Sequence, residues 1–363
     1  MNRISVPQPD GFIRFLFFYH LAFALVFTWY LNQYGGDAIR YWNLTAETGH
    51  HPESWSDHFG TRSYFIQWLN YLPAKLLGLP FWIGNVLYAL ASFWALKILF
   101  SLVIQTFKIE SNALFLVLLY LVFLLPNLHF WTAGIGKESL SLLGLAFFLK
   151  GSIDLKKGGY WLLLGILLSY LVRPLQGALL LGMALPIIWL DKGPASWLKL
   201  VLTPILVVAA WYMTQFLLYI THMDGIAPAD IVGFSEEQFR FLDQFAAGSA
   251  IPMKEYPWWQ KAWTLFFRPF WGEGGRFWPY MAILENSFSL LLFLTLPLWL
   301  IKRNWKNIPL WLLWALVYGL LLMGVYALTL NNLGIIMRMK SFFMIFFHLL
   351  AVMGIYNLKL RNI

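Results

Sequence analysis

Asp37 comes directly after Gly35-Gly36, where the first long apolar run ends, in the string NQYGGDAIRYW. A helix starting there would put Asp37 in its first turn, with Arg40 and Tyr41 on the same side at i+3 and i+4. Two roles fit an aspartate so placed. It can cap the helix by satisfying free backbone N–H groups. It can also act as a general base that takes the proton of an attacking hydroxyl, at a depth where lipid-borne substrates are met. Lys137 and Glu138 open a later apolar run behind the glycine-rich break Ala133-Gly134-Ile135-Gly136. Glutamate in a first turn complements the helix dipole, and lysine snorkels to the interface. A helix N-terminus bearing a lysine is equally an anion site, and phosphate is the natural anion for it.

Three more charged places border apolar runs: Arg173 in SYLVRPLQG, Arg268 in LFFRPFWGEGGRFW, and Arg338 with Lys340 in NNLGIIMRMKS. Charge in such positions is costly and marks a site or a buried pair. Each can be read as an interfacial anchor, although Arg173-Pro174 with Gln176 makes a polar break where packing alone would use leucine. Arginine grips phosphate oxygens two at a time and stays charged at any accessible pH. Lys137, Arg173, Arg268, Arg338 and Lys340 together therefore suit a phosphorylated or pyrophosphorylated lipid head group.

Other clusters say less. Glu236, Glu237, Asp243, Glu255, Trp258, Trp259, Trp271 and Glu273 mix aromatic faces with carboxylates, as carbohydrate sites do, but interfacial belts use the same aromatics. His50, His51, Glu53, Asp57 and His58 match no tight metal-ligand spacing, and a loop cluster of this kind is more often solvated surface. No tightly bound metal or other cofactor is expected. Asn43-Leu44-Thr45 is a formal glycosylation sequon and by itself means little.

The elements that must hold these residues follow from composition. Of 363 residues, 60% are hydrophobic and only 12% charged, a balance that lipid rather than water must solvate. Apolar runs of membrane-crossing length recur from Gly11 to Leu358 without the alternation of barrel strands, so the fold class is all-α, a polytopic transmembrane helix bundle. About ten spans are expected, at 11–33, 81–107, 111–131, 138–155, 160–173, 175–190, 197–220, 281–301, 307–330 and 340–358. The first reads as a retained span with no cleavage site behind it. Residues 63–80 mix Arg62, Gln67, Asn70, Pro73 and Lys75 with aromatics and are expected to lie along the interface.

Orientation follows from the other cations. With Arg3 inside, Lys108, Lys156-Lys157, Lys192 with Lys199, Lys302-Arg303 with Lys306, and Lys359 with Arg361 all fall on the cytoplasmic side. Both termini are then cytoplasmic, and two long loops, 34–80 and 221–280, face out. All five places singled out above also lie at the outer face, although they played no part in setting the orientation. There is no internal repeat, low-complexity segment or separable soluble domain, so 1–363 is expected to form one membrane domain. The absence of cysteine excludes disulfides and thiolate chemistry. The net charge of +9 is scattered between apolar runs rather than gathered on one face, so nucleic acid is not the expected partner.

The layout resembles the C-type (GT-C) integral-membrane glycosyltransferases. The residues that carry the likeness are a first span followed by GGDAIRYW and a surface helix that ends in a Pro/Gly-rich stretch. PNLHFWTAGIGKE, the Arg-Pro break and FRPFWGE are similar to polysaccharide-assembly members of that group in bacteria, and place the chain in the inner membrane of the cell envelope. The resemblance implies that Asp37 is the catalytic base and that the donor is a polyprenyl-phosphate-linked sugar bound at the outer leaflet, with a glycan or lipid as acceptor. Lys137, Arg173, Arg268, Arg338 and Lys340 would bind the donor phosphate, with Arg40, Tyr41, Glu138 and Glu273 in support. Many such enzymes carry two adjacent acidic residues in this first loop, whereas here Ala38 follows Asp37. That departure counts against a metal-dependent variant and leaves a loosely held divalent cation as the remaining metal role. Two rivals stand beside this reading. A polysaccharide polymerase would use the same cations on a pyrophosphate-linked chain. A transporter of lipid-linked substrates would be expected to place its charges at the midplane, around broken helices or repeats.

Overall fold

The structure, a computed structural model, describes residues 9–46, 54–107, 113–244, 248–273, 277–297 and 308–360, without the side chains of 277–279 and 356–360. Arg3, His50, His51, Glu53, Lys108, Lys302, Arg303, Lys306, Arg361 and the Lys359 side chain lie outside the described residues.

Helix dominates the described residues, because lipid gives the backbone no partner outside its own i to i−4 ladder. The helices are α1 (Pro9–Tyr34), α2 (Asp37–Trp42), α3 (Ser63–Asn70, continued by a π turn over Tyr71–Leu76), α4 (Phe81–Phe107), α5 (Ala113–Phe123), α6 (Pro126–Thr132), α7 (Lys137–Gly151), α8 (Leu155–Val172), α9 (Pro174–Leu190), α10 (Ser196–Thr221), α11 (Pro228–Asp243), α12 (Trp258–Phe267), α13 (Phe277–Phe293), α14 (Leu310–Thr329) and α15 (Leu333–Leu360). Prolines stand at the starts of α6, α9 and α11, where the missing N–H costs nothing.

Seven stretches are long and apolar enough to cross a membrane: α1, α4, the α5–α6 pair, α8, α10, α14 and the first 23 residues of α15. The chain is thus a multi-pass membrane protein with seven candidate spans among the described residues, and the expected count of about ten is not confirmed. The shortfall is one of length. The helices at the other three expected places, α7, α9 and α13, have 15, 17 and 17 residues. At 1.5 Å per residue, α7 reaches only about 22 Å of a hydrocarbon core about 30 Å thick. It stops at Gly151, where a turn leads into α8. Neither α3 nor its π turn is long enough to cross.

The chain divides into two compact units, Met1–Leu180 with Leu190–Pro194, and Leu181–Trp189 with Ala195–Ile363. In the first, α7 is almost wholly buried, with α4 and α8 packed against it. Close approach of α7 and α8 depends on glycine. A Cβ on Gly165 would lie 2.5 Å from the Phe148 amide nitrogen and 2.6 Å from the Gly144 carbonyl oxygen, and a Cβ on Gly151 would strike the Leu162 backbone. In the second unit, α14 and α15 pack through Tyr318, Leu322, Phe342, Phe343 and Phe346, all fully buried. There the backbone of Ser249–Ile251 pairs with Asn331–Leu333, and the Asn332 side chain accepts from the Gly334 and Ile335 amides to cap α15.

Candidate functional site

In the first unit the chain leaves α1 through two glycines with positive φ, Gly35 at +73° and Gly36 at +154°. Side-chain-bearing residues rarely adopt these conformations, and a Cβ on Gly36 would also come within 2.9 Å of Leu31. The turn starts α2 with Gly36 at the cap position and the exposed Asp37 as its first residue. Of the two roles open to Asp37, the cap position thus falls to its neighbour. One turn on, Tyr41 is buried, and its carbonyl accepts from Asn70 Nδ2 at 3.2 Å. The Lys137 ammonium lies 5.6 Å from the centre of the Tyr41 ring and donates to Ser63 Oγ at 3.1 Å. So α2, α3 and the N-terminus of α7 meet around that lysine. Arg40 is exposed and donates to the Ala46 carbonyl at 3.0 Å, which folds the loop back on itself.

Glu138 is buried, and Arg173 Nη2 donates to its Oε1 at 2.5 Å. Arg173 is the extended hinge between α8 and α9. Its N–H closes α8 on the Ser169 carbonyl, and its own carbonyl accepts from the Gln176 amide at the start of α9. Arg62, at φ +63°, donates its N–H to the Leu171 carbonyl at 2.7 Å and ties the start of α3 to the end of α8. Asp37, Lys137, Glu138 and Arg173, more than 130 residues apart at the extremes, are thus gathered at one end of this unit.

In the second unit Arg268 also has a carboxylate partner. Its Nε and Nη2 donate to the two oxygens of Glu273 at 2.9 and 2.6 Å, and its Nη1 donates to the Tyr256 hydroxyl at 3.1 Å. Partial burial, the largest influence on the Glu273 carboxyl, pushes its pKa up. Donation from Arg268 and the Phe270 amide outweighs this and holds it below the ordinary glutamate range. Lys340 is buried and spends its three ammonium protons on the Phe266 and Arg268 carbonyls and on Asn286 Oδ1, at 3.0, 3.0 and 3.2 Å. It closes the C-terminal end of α12. Arg338 is half-buried two residues earlier on α15, a spacing that turns it to a different face.

Of the cations expected to bind phosphate, Arg173 and Arg268 are each paired with a carboxylate, while Lys340 serves two backbone carbonyls and Asn286. Lys137 is held, through the Tyr41 ring, against α2, the helix that begins at the exposed Asp37. In the loop cluster, Asp57 accepts from the Ser54 amide at 2.9 Å, and His58 is buried beside the Tyr71 ring. Trp258, Trp259 and Trp271 are exposed.

Ser63, Tyr256 and Asn286 were not singled out from the sequence, and Asn70 only as a polar residue of an interfacial helix, because an uncharged partner carries no signal until its position is known. A buried histidine pair was also passed over. His20 Nδ1 and His129 Nδ1 lie 2.7 Å apart, His129 Nε2 donates to the Phe123 carbonyl, and His20 Nε2 meets Ser92 Oγ at 2.8 Å. Since a carbonyl only accepts, a neutral His129 must present a bare Nδ1, and His20 then donates to it. This chain of bonds ties α1, α4 and the segment around α6 together in otherwise apolar surroundings. Histidines inside apolar runs could have flagged it.

No protein-family model matches this chain, and neither a curated protein nor a solved structure does.

Proposed function

We propose that the chain is an integral-membrane glycosyltransferase that moves a sugar from a polyprenyl-phosphate-linked donor to a hydroxyl acceptor, with the reacting end of its first unit at the non-cytoplasmic face and both termini in the cytoplasm. The observation that carries this reading is the placing of an exposed carboxylate, Asp37, on the short helix whose Tyr41 ring packs under the Lys137 ammonium. A base and a cation then stand on neighbouring turns at an end of the unit where donor and acceptor can be met. In the reaction the acceptor oxygen bonds to the anomeric carbon while its proton passes to Asp37. The bond from that carbon to the phosphate oxygen breaks, and polyprenyl phosphate leaves with the electron pair, its charge met by Lys137. Arg173, neutralised by Glu138, acts mainly by fixing the hinge between α8 and α9 beside the phosphate.

Gln176 gives further support. Its side-chain amide is buried three residues beyond Arg173, and neither its oxygen nor its nitrogen has a hydrogen-bond partner. A group so placed costs about 1–3 kcal/mol, and a sugar hydroxyl is the kind of ligand that would satisfy it.

The test is transfer by the full chain in lipid nanodiscs, offered radiolabelled sugar on polyprenyl phosphate and, separately, on polyprenyl pyrophosphate. Transfer of single sugars from the monophosphate is the expected result. Chain extension from the pyrophosphate alone would make the protein a polymerase. Movement of either lipid across the bilayer without transfer would make it a transporter.

A further inference from the structure

Lys97 has no part in the chemistry above. It stands near the middle of α4, ten residues or about 15 Å short of its C-terminal end, and is the one charged residue of that helix. An ionisable side chain at such a place is expensive in lipid unless something answers it. Lys97, Ser101 and Gln105 recur at i, i+4 and i+8 and so share one face of α4. That face lines an open cleft of about 570 Å³, whose other walls are the last turn of α7 and the first turns of α8. Lys150 and Lys157 line it too, with Trp94, Tyr160 and Trp161. The Lys150 ammonium is held 4.0 Å from the centre of the Trp161 ring, so one cation is positioned in advance. The one acidic residue in the lining, Asp154, lies 3.8 Å from Lys157 in an exposed pair of little strength. Three lysines against one aspartate leave a net positive cleft. It lies at the ends of α4, α7 and α8 opposite to those that meet Trp42, Lys137 and Arg173.

We infer that this cleft is a second, independent site that holds the phosphate of an anionic phospholipid head group, with Lys97, Lys150 and Lys157 as its cations. A lipid rather than a free anion is the occupant because the cations are interleaved with exposed tryptophan and tyrosine faces. Lys97 also reaches the cleft from deep within a membrane-crossing helix, where acyl chains are the neighbours. The site stands whether or not the transferase reading does, since no residue is shared.

Titration of the full chain in uncharged detergent, read by native mass spectrometry, tests this with phosphatidylglycerol, phosphatidylcholine and inorganic phosphate as probes. Phosphatidylglycerol is expected to bind at least about tenfold more tightly than phosphatidylcholine. Lys97→Gln and Lys157→Gln should each weaken it roughly fivefold. Lys97→Arg should keep most of the affinity, and Asp154→Asn should raise it. Millimolar inorganic phosphate should not displace the lipid. Equal binding of the two lipids, or an unchanged affinity in a folded Lys97→Gln protein, would overturn the site. Displacement by inorganic phosphate would overturn the lipid as its occupant. Asp154→Asn adds no cavity and removes no packing, so it reads the charge of the cleft even if the lysine variants fold poorly.

Discussion

The buried Glu138 carboxylate is tolerable because Arg173 meets it at 2.5 Å, and the pair holds the start of α7 to the junction of α8 and α9. Removing one partner of such a pair leaves a buried charge and typically costs about 3–5 kcal/mol, whereas replacing both with apolar groups of similar size can be nearly neutral. Arg173→Met is therefore expected to lower thermal stability severely, and Arg173→Met with Glu138→Met to recover most of it. If the folded double variant keeps its transfer activity, Arg173 is purely structural; lost transfer would show that the charge itself is used. Arg268 and Glu273 make the gentler, partly exposed version. Glu273 has its pKa depressed in the folded chain, so between the folded and unfolded values the unfolded chain binds more protons. The contribution is complete above the ordinary glutamate range and is lost as pH falls through the folded value. Melting temperature followed from neutral to acid pH should thus fall less steeply in Glu273→Gln than in the parent, and parallel curves would refute that linkage. Which residues carry charge next to apolar runs was legible in the sequence. Which of them are already paired was not, because Glu138 and Arg173 are 35 positions apart and local spacing is silent on their meeting.

At the level of elements, glycine decides how close helices come and where they begin. Gly165 faces the Gly144 carbonyl and the Phe148 amide, backbone atoms that cannot swing away as a flexible side chain would. Gly165→Ala is accordingly expected to cost about 1–3 kcal/mol by forcing α7 and α8 apart, measured as a drop in melting temperature in nanodiscs. An unchanged melting temperature would mean the two helices are not in the contact described. The break between α1 and α2 could be read from Gly35-Gly36, and the hinge at Arg173 from the proline that follows it, since both motifs act through local backbone geometry. The C-terminal end of α7 could be read within a few residues from Asp154 and Lys156-Lys157, whereas its close packing on α8 through Gly151 and Leu162 could not.

For the whole molecule, the all-helical, multi-pass character was legible because lipid imposes it on any chain of this composition. The number of spans is less legible, since helices of 17 residues such as α9 and α13 stand at the lower edge of the membrane-crossing length. α10 shows the same physics from outside: 26 residues with none buried, and an apolar surface that asks for lipid. The long loops expected at 34–80 and 221–280 prove to carry α2, α3, α11 and α12, which present the polar residues in fixed positions. The central claim is that Asp37 takes the acceptor's proton, and it is tested most directly by comparing sugar transfer from polyprenyl phosphate by the parent chain and by Asp37→Asn in nanodiscs. Asparagine keeps the shape and polarity of the side chain but is no base. The expected result is an unchanged melting temperature with transfer reduced by about 10²-fold or more. Transfer at the parental rate in a folded Asp37→Asn protein would contradict the assignment.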